Sequence, residues 1–330
     1  MGGDLPPALK AAIARELEGR PRRDLGARRA AATAAYRAGG TSAAAIRGAD
    51  DALAYALARL PATYAAAAAV FAEARRVAPG FRPASLLDAG SGPGGGSWAA
   101  REAWPSLRAI AWVDASAPFL ALAGRLASGA FEPDARRGDL ASADLPRADL
   151  VLASYALAEI PPVGQAGVVG RLWNATDGVL ALVEPGTPAG YARLLEARGL
   201  LIAGGATILA PCPHADACPL TAPDWCHFSV RLARSRDHRL AKDASAPFED
   251  EKFAYVLAAR PGVAAAPARA RVLARPHAGK PGIDLKLCTP AGLERRHVAR
   301  RDKAAHAVAR RLGWGDAWPD AEDAPAPAPR

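Results

Sequence analysis

The sequence predicts an α/β protein built on a doubly wound parallel sheet, and three observations carry that prediction. From residue 85 to 186 short apolar runs alternate with helical segments, the pattern of strands feeding crossover helices. The first run, SLLDA, breaks at once into a loop containing Gly90, Gly92 and Gly94 before an alanine-rich helix resumes. The second run, AIAWVDAS, ends in an acid, Asp114, 20 residues beyond the last of those glycines. In open α/β sheets a ligand sits beyond the carboxyl ends of the strands, and the loop, Asp114, Asp139 and Ser154 all fall there.

A chain of 330 residues can bury a sizeable core as one large or two medium domains. Its apolar share is 51%, much of it alanine, and no run of about 18 purely apolar residues marks a membrane span, so no membrane contact is expected. The opening MGGDLPP lacks the charged-then-apolar pattern of a signal peptide. The Arg-, Ala- and Ser-rich stretch Arg20 to Arg47 mimics an organelle transit peptide in composition, but Glu16, Glu18 and Asp24 oppose that reading. The expectation is a bacterial cytoplasmic protein, monomeric when free.

Residues 1–78 read as a helical N-terminal region. Leu9, Ile13 and Leu17 recur at turn spacing, and Asp50 or Asp51 is placed to cap a helix carrying Leu53, Leu57 and Leu60. Pro61 is expected to start or kink the next helix, PATYAAAAAVFAEARR. Arg20, Arg22, Arg23, Arg28 and Arg29 offer either an RNA contact or a solvated basic face.

The next segment, 79–260, carries the sheet. Leu86 and Leu87 have the character of a buried parallel strand, and the glycines come where the chain must turn sharply and let a ligand approach its backbone. A dinucleotide loop spaces its glycines G-x-G-x-x-G, whereas here the order is D-x-G-x-G-x-G. That order resembles the S-adenosylmethionine loop of class I methyltransferases, which implies a Rossmann-like fold with Asp88, Gly90, Ser91, Gly92 and Gly94 at the cofactor. A helix is expected from about Trp98 to Trp104. Asp114 stands where a carboxylate accepts bonds from ribose hydroxyls, and the resemblance puts Asp139 beside the adenine amino group. DLVLASYAL, which holds Ser154, reads as the fourth strand and GVLALVEPG as the fifth.

The chain has four cysteines, Cys212, Cys218, Cys226 and Cys288, spaced C-x5-C-x7-C-x61-C. Three of them lie in a Pro- and His-rich segment read as an insertion at about 205–250. Without a secretion signal, disulfides are the poorer explanation, and buried inert thiols are the plainer one. Four thiolates make one complete ligand set. The spacing matches neither ferredoxin runs nor zinc C-x2-C pairs, so chemistry alone permits zinc, with His214 or His227 as substitute ligands, or an iron-sulfur cluster.

The last third is basic. Between Arg269 and Arg311 twelve Lys or Arg face three acids, a balance of +9 that equals the net charge of the whole chain. The strand-like ARVLARP and GIDLKLC, followed by ERRHVARRDKAAHAVARR, form a basic extension over 261–311, the footprint a phosphate backbone attracts. Arg295, Arg296, Arg300 and Arg301 are its candidate RNA contacts. Residues 312–330 are expected to form a flexible acidic and Pro-rich tail.

Together ALARLPATYAA, LLDAGSGPGGGSWAA, LVEPGTPAGY, PCPHADACPL, DWCHFSVRLAR and WGDAWP resemble the methyltransferase-like protein 17 family of small-ribosomal-subunit assembly proteins. The resemblance spans nearly the whole chain. It implies a methyltransferase fold, binding to the small ribosomal subunit and its rRNA, and a [4Fe-4S] cluster held by all four cysteines, with zinc as the alternative. His214 and His227 then become supporting donors or RNA contacts. No acidic-Pro-Pro-aromatic motif follows the fourth strand; ASYALAEIPP stands there, with Tyr155 and Glu159 the groups able to orient a substrate. The sequence therefore leaves an assembly factor and an active rRNA methyltransferase both standing, and names no catalytic residue.

Overall fold

The computed structural model describes residues 4–20, 28, 46–242 and 245–318. Helix α1 (Pro7–Leu17) buries Leu9, Ala12 and Leu17. Helix α2 (Ala49–Val77) is one continuous rod of 29 residues, so Pro61 neither begins nor ends a helix. Its N-cap is Gly48 rather than either acid, and Asp51 in the first turn instead accepts the Arg47 amide at 3.1 Å. The ring of Pro61 is buried with its neighbours, and packing along the whole rod outweighs the hydrogen bond proline removes. By length and composition α2 is apolar enough to cross a membrane, but 67% of its most apolar window is buried inside the protein.

Strands and helices then alternate: β1 (Ser85–Ala89), α3 (Gly95–Ala103), β2 (Ala109–Asp114), α4 (Ala117–Ala127), β3 (Asp134–Arg137) and β4 (Ala148–Ser154). A single 3-10 turn (Leu157–Glu159) leads to α5 (Pro162–Asn174), β5 (Thr176–Pro185), α6 (Pro188–Ala203), β6 (Thr207–Ala210), β7 (Phe228–Ala233), α7 (Arg236–Lys242) and β8 (Phe248–Ala259). The sheet order is β3-β2-β1-β4-β5-β8-β6, with β7 also pairing β8. Strands β1 to β5 are parallel as expected, but β8 runs antiparallel to β5, β6 and β7, so the sheet is mixed. The first half of β8, FEDEK, is charged and partly exposed, which hid a strand whose second half is fully interior. Of the stretch expected as an insertion, β6 and β7 belong to this sheet, and 211–227 between them forms neither helix nor strand.

A second sheet follows from β9 (Ala270–Val272), β10 (His277–Ala278), β11 (Gly282–Thr289), β12 (Gly292–Ala299) and β13 (Ala317–Trp318), with α8 (Lys303–Ala309) packed on it. Its order is β10-β11-β9-β13, and β12 pairs β11. Because β13 pairs β9, residues 312–318 are folded rather than tail; the remaining expected tail lies outside the described residues. One side chain clamps the two sheets. Arg271 is 1% exposed and donates from Nε to the Pro211 carbonyl at 3.0 Å, from Nη1 to the Gly315 carbonyl at 2.9 Å, and from Nη2 to Glu73 of α2.

Candidate functional site

A cleft opens at the carboxyl ends of β1, β2 and β4. Asp88, Gly90, Ser91, Gly92, Asp114, Asp139 and Ser154 all line it. Gly94, by contrast, is the left-handed N-cap of α3, and its missing Cβ makes room for the Trp112 ring rather than for a ligand. Gly92 has φ +52°, and a Cβ there would meet nothing within 4 Å, so its Cα faces open space while its amide is bonded to Asp114. Gly96 was not singled out from sequence, yet a Cβ there would lie 2.3 Å from Leu152 Cδ2 and 3.1 Å from the Asp88 carboxylate.

The acids of the cleft are held by the fold. Asp88 is buried and accepts the Ser97 hydroxyl at 2.7 Å; that hydroxyl in turn accepts the Trp112 indole N–H at 2.8 Å. Burial pushes the Asp88 carboxyl up to about 6. Asp114 accepts the Gly92 amide at 2.8 Å on one oxygen and the Ser116 amide at 2.8 Å on the other, and burial raises its pKa as well. Asp139 accepts the Ala141 amide at 2.8 Å. Two hydroxyls in the cleft, Ser91 Oγ and Ser154 Oγ, are buried and have no protein partner among the described residues. Sequence reasoning missed Tyr55 and Thr63, which reach the cleft from α2, and Phe119 from α4. Their spacing reads as ordinary core, and no local signal separates a core aromatic from one at a cleft.

The four cysteines meet at a second cavity, lined also by Tyr191, Leu194, Arg198, His214 and Arg271. All four are free thiols. The Tyr191 hydroxyl donates to Cys218 Sγ at 3.1 Å, and His214 Nε2 is 3.6 Å from Cys288 Sγ. Burial, reinforced by the neighbouring cysteines, pushes the Cys226 thiol well up and the Cys288 thiol to about 12. Among the described residues no three His, Cys, Asp or Glu side chains converge closely enough to hold one metal ion. The cavity nevertheless suits a thiolate-bound group. Four sulfurs line it beside two buried guanidiniums, and Arg198 Nε and His214 Nδ1 are buried without partners. His227 is elsewhere, stacked on Trp225 at 4.9 Å and edge-on to Trp314 at 4.7 Å.

The basic face is smaller than its charge count. Arg295 is exposed, whereas Arg296, on the opposite face of β12, pairs with Glu294 at 2.6 and 2.9 Å and stacks on Trp318. Arg300 and Arg301 are at the turn after β12, Arg301 exposed. Arg271 is interior, and Lys286 pairs with Asp224. Near the N-terminus Arg20 and Arg28 pair with Asp50 and Asp51; Arg22, Arg23 and Arg29 lie outside the described residues.

Five parallel strands with an antiparallel strand inserted before the sixth, and a glycine-lined cleft at their carboxyl ends, define an α/β protein of methyltransferase-like fold. The chain belongs to the Rsm22 family, described as mitochondrial small ribosomal subunit Rsm22, whose model matches residues 49–319. It is 33% identical over 292 residues to the human mitochondrial ribosome assembly protein METTL17, an alignment covering 81% of this chain and 62% of that protein. Among solved structures, the magnesium protoporphyrin IX methyltransferase of Synechocystis PCC 6803 with bound S-adenosylmethionine is 16% identical, covering 64% of this chain and 83% of that one at a TM-score of 0.40. A ribosomal protein L11 methylase of Lactobacillus delbrueckii subsp. bulgaricus is 14% identical, covering 57% and 76% at a TM-score of 0.34. At these scores the likeness says nothing about ligands. The expectation of a bacterial cytoplasmic protein is overturned, because the family description and the human relative are both mitochondrial.

Proposed function

We propose that this protein is an assembly factor of the small ribosomal subunit that binds S-adenosylmethionine in the cleft and contacts rRNA through its second sheet. Membership in the Rsm22 family is the observation that carries the reading, and the human relative is a ribosome assembly protein. In the cleft Asp114 and the Gly92 backbone it braces face the ribose and the cofactor backbone, Asp139 takes the adenine edge, and Ser91 and Ser154 supply unpaired hydroxyls. Arg295, Arg300 and Arg301 meet phosphate, while Arg296 braces the sheet. The free protein is a monomer.

The four cysteines hold one [4Fe-4S] cluster, with a single zinc as the alternative. A zinc ion draws four sulfurs to about 2.3 Å from one point, whereas a cluster gives each thiolate its own iron and keeps the sulfurs further apart. Four thiols lining one cavity, with the resemblance carrying all four ligand positions onto cysteines, support the cluster reading. Bound there, it supplies a cross-link between 211–227 and β11, and the guanidiniums of Arg198 and Arg271 offset its negative charge.

Assembly is preferred to methyl transfer because three of the titratable groups lining the cleft are committed to the fold: Asp88 to Ser97, Asp114 to two amides, and Tyr155 to Glu251. The test is co-sedimentation with immature and mature small subunits in the presence of methyl-tritiated S-adenosylmethionine. Selective binding to immature subunits without label transfer is the expected result. Label on the rRNA would replace this reading with an active methyltransferase, and absence of binding would remove it.

A further inference from the structure

Among the described residues Tyr155 is the one non-glycine residue with positive φ, at +61°. It sits immediately after β4, between Ser154 and Ala156, and all three line the cleft. A tyrosine gains nothing from this backbone conformation, which glycine, asparagine or aspartate adopt more easily, so it persists only where the surroundings over-determine it. Those surroundings are identifiable. The Tyr155 amide donates to the Val183 carbonyl at 2.7 Å, fixing the turn to β5. Its hydroxyl donates to Glu251 Oε1 at 2.9 Å on β8. Glu251 is itself held by Arg59 of α2, whose Nη2 and Nη1 donate to the two carboxylate oxygens at 3.0 and 3.3 Å. The same guanidinium lies 5.5 Å from the centre of the Tyr155 ring.

We infer that Tyr155 is a cofactor-positioning residue, held in its strained conformation by the Arg59–Glu251 pair so that its ring forms one wall of the cleft. This rests on the reading that the cleft binds S-adenosylmethionine. The phenol is not a proton acceptor: burial and the neighbouring Glu251 carboxylate hold it neutral far above its ordinary range, and its proton is directed at Glu251. Its role is shape. The clamp also explains why the N-terminal helix belongs to the site, since α2 supplies Arg59 to the clamp and Tyr55 and Thr63 to the cleft itself. Docking of α2 and completion of the cofactor wall are then one event.

The experiment is calorimetric titration of S-adenosylmethionine into the full-length wild type, Tyr155→Phe, Glu251→Leu, Glu251→Gln and the Tyr155→Phe/Glu251→Leu double variant, with a thermal unfolding curve for each. Loss of the phenol hydrogen bond is expected to weaken the cofactor by about three- to tenfold, the scale of one hydrogen bond. Glu251→Leu, which also releases Arg59, should lose at least as much as Tyr155→Phe, and the double variant no more than Glu251→Leu alone, because both cut the same phenol bond. Glu251→Gln, whose amide oxygen still accepts the phenol, should bind more tightly than Glu251→Leu. If Glu251→Leu does not fold, the comparison of Tyr155→Phe with Glu251→Gln decides. Wild-type affinity in Tyr155→Phe, with only a lower unfolding temperature, would overturn the inference and leave a packing residue. A wild type that binds no S-adenosylmethionine overturns the cofactor reading itself.

Discussion

The Asp114 carboxylate accepts the Gly92 amide at 2.8 Å, so the last residue of β2 holds the glycine loop of β1 in its open form. A loop fixed beforehand loses less freedom when a ligand arrives. Asp114→Ala removes this brace together with the Ser116 bond, and it should weaken S-adenosylmethionine by about 1 to 3 kcal/mol, the cost of a missing charged acceptor. Asp114→Asn keeps an acceptor oxygen and should fall between the two in calorimetry. Equal affinities for all three proteins would take Asp114 out of the site.

Much of this cleft was legible because its parts are local. A strand, a glycine loop and an acid at the next strand end are short patterns, and they led to Asp88, Gly90, Gly92 and Asp114 without a structure. What was not legible depends on long-range packing. Tyr55 and Thr63 reach the cleft only because α2 packs across α3, and Glu251 reaches Tyr155 only because β8 inserts antiparallel beside β5. The run FEDEK gave no sign of a strand, since its alternation mixes charges on both faces. Arg295 and Arg296 looked equivalent as a pair, but a strand sends neighbours to opposite faces, and their partners differ accordingly.

Asp88 gives a stability profile with an inverted sign for a carboxylate. Its folded pKa is about 6 against an ordinary 3.8, so the native state holds the proton more tightly than the unfolded chain. Stability from this group is greatest at low pH, falls as pH rises from about 4 to 6, and is flat above. The full difference is on the order of 3 kcal/mol. Asp88→Asn keeps an oxygen for Ser97 and carries no charge. Its stability advantage over wild type in urea titrations should be largest above pH 6 and shrink toward pH 4. An advantage independent of pH would show that Asp88 titrates normally.

Salt titration of rRNA binding separates the two faces of β12. Removing one arginine that neutralises a phosphate should reduce the slope of log affinity against log salt by about 0.7 for single-stranded RNA. Arg295→Gln, Arg300→Gln and Arg301→Gln should each do so without changing the unfolding temperature. Arg296→Gln should leave the slope alone and lower stability, because it gives up Glu294 and the Trp318 ring. A changed slope in Arg296→Gln would put that side chain, rather than its exposed neighbours, on the RNA.

Arg271 and Cys288 stand directly opposite each other on β9 and β11; Arg271 ties the second sheet down by hydrogen bonds, and the proposed cluster would add a second tie through Cys288. Cys288→Ser should lose the metal, measured as iron, sulfide and zinc per chain, yet keep the sheets docked through Arg271. Newly protease-sensitive bonds should then be confined to 211–227, because β6 and β7 on either side remain in the first sheet. Arg271→Ala takes one of two guanidiniums from the half-buried Glu73, which keeps Arg76, and frees two carbonyls, so it should cost about 2 to 4 kcal/mol. It should lower metal content and rRNA affinity together, because the clamp places β9 and β11 against Pro211 and its neighbour Cys212. Cofactor affinity should survive Cys288→Ser, since that cysteine lines the other cavity. Loss of S-adenosylmethionine binding in Cys288→Ser would mean that the two cavities are coupled through α6, whose Arg193 bonds Glu184 at 2.8 Å while its Tyr191 touches Cys218.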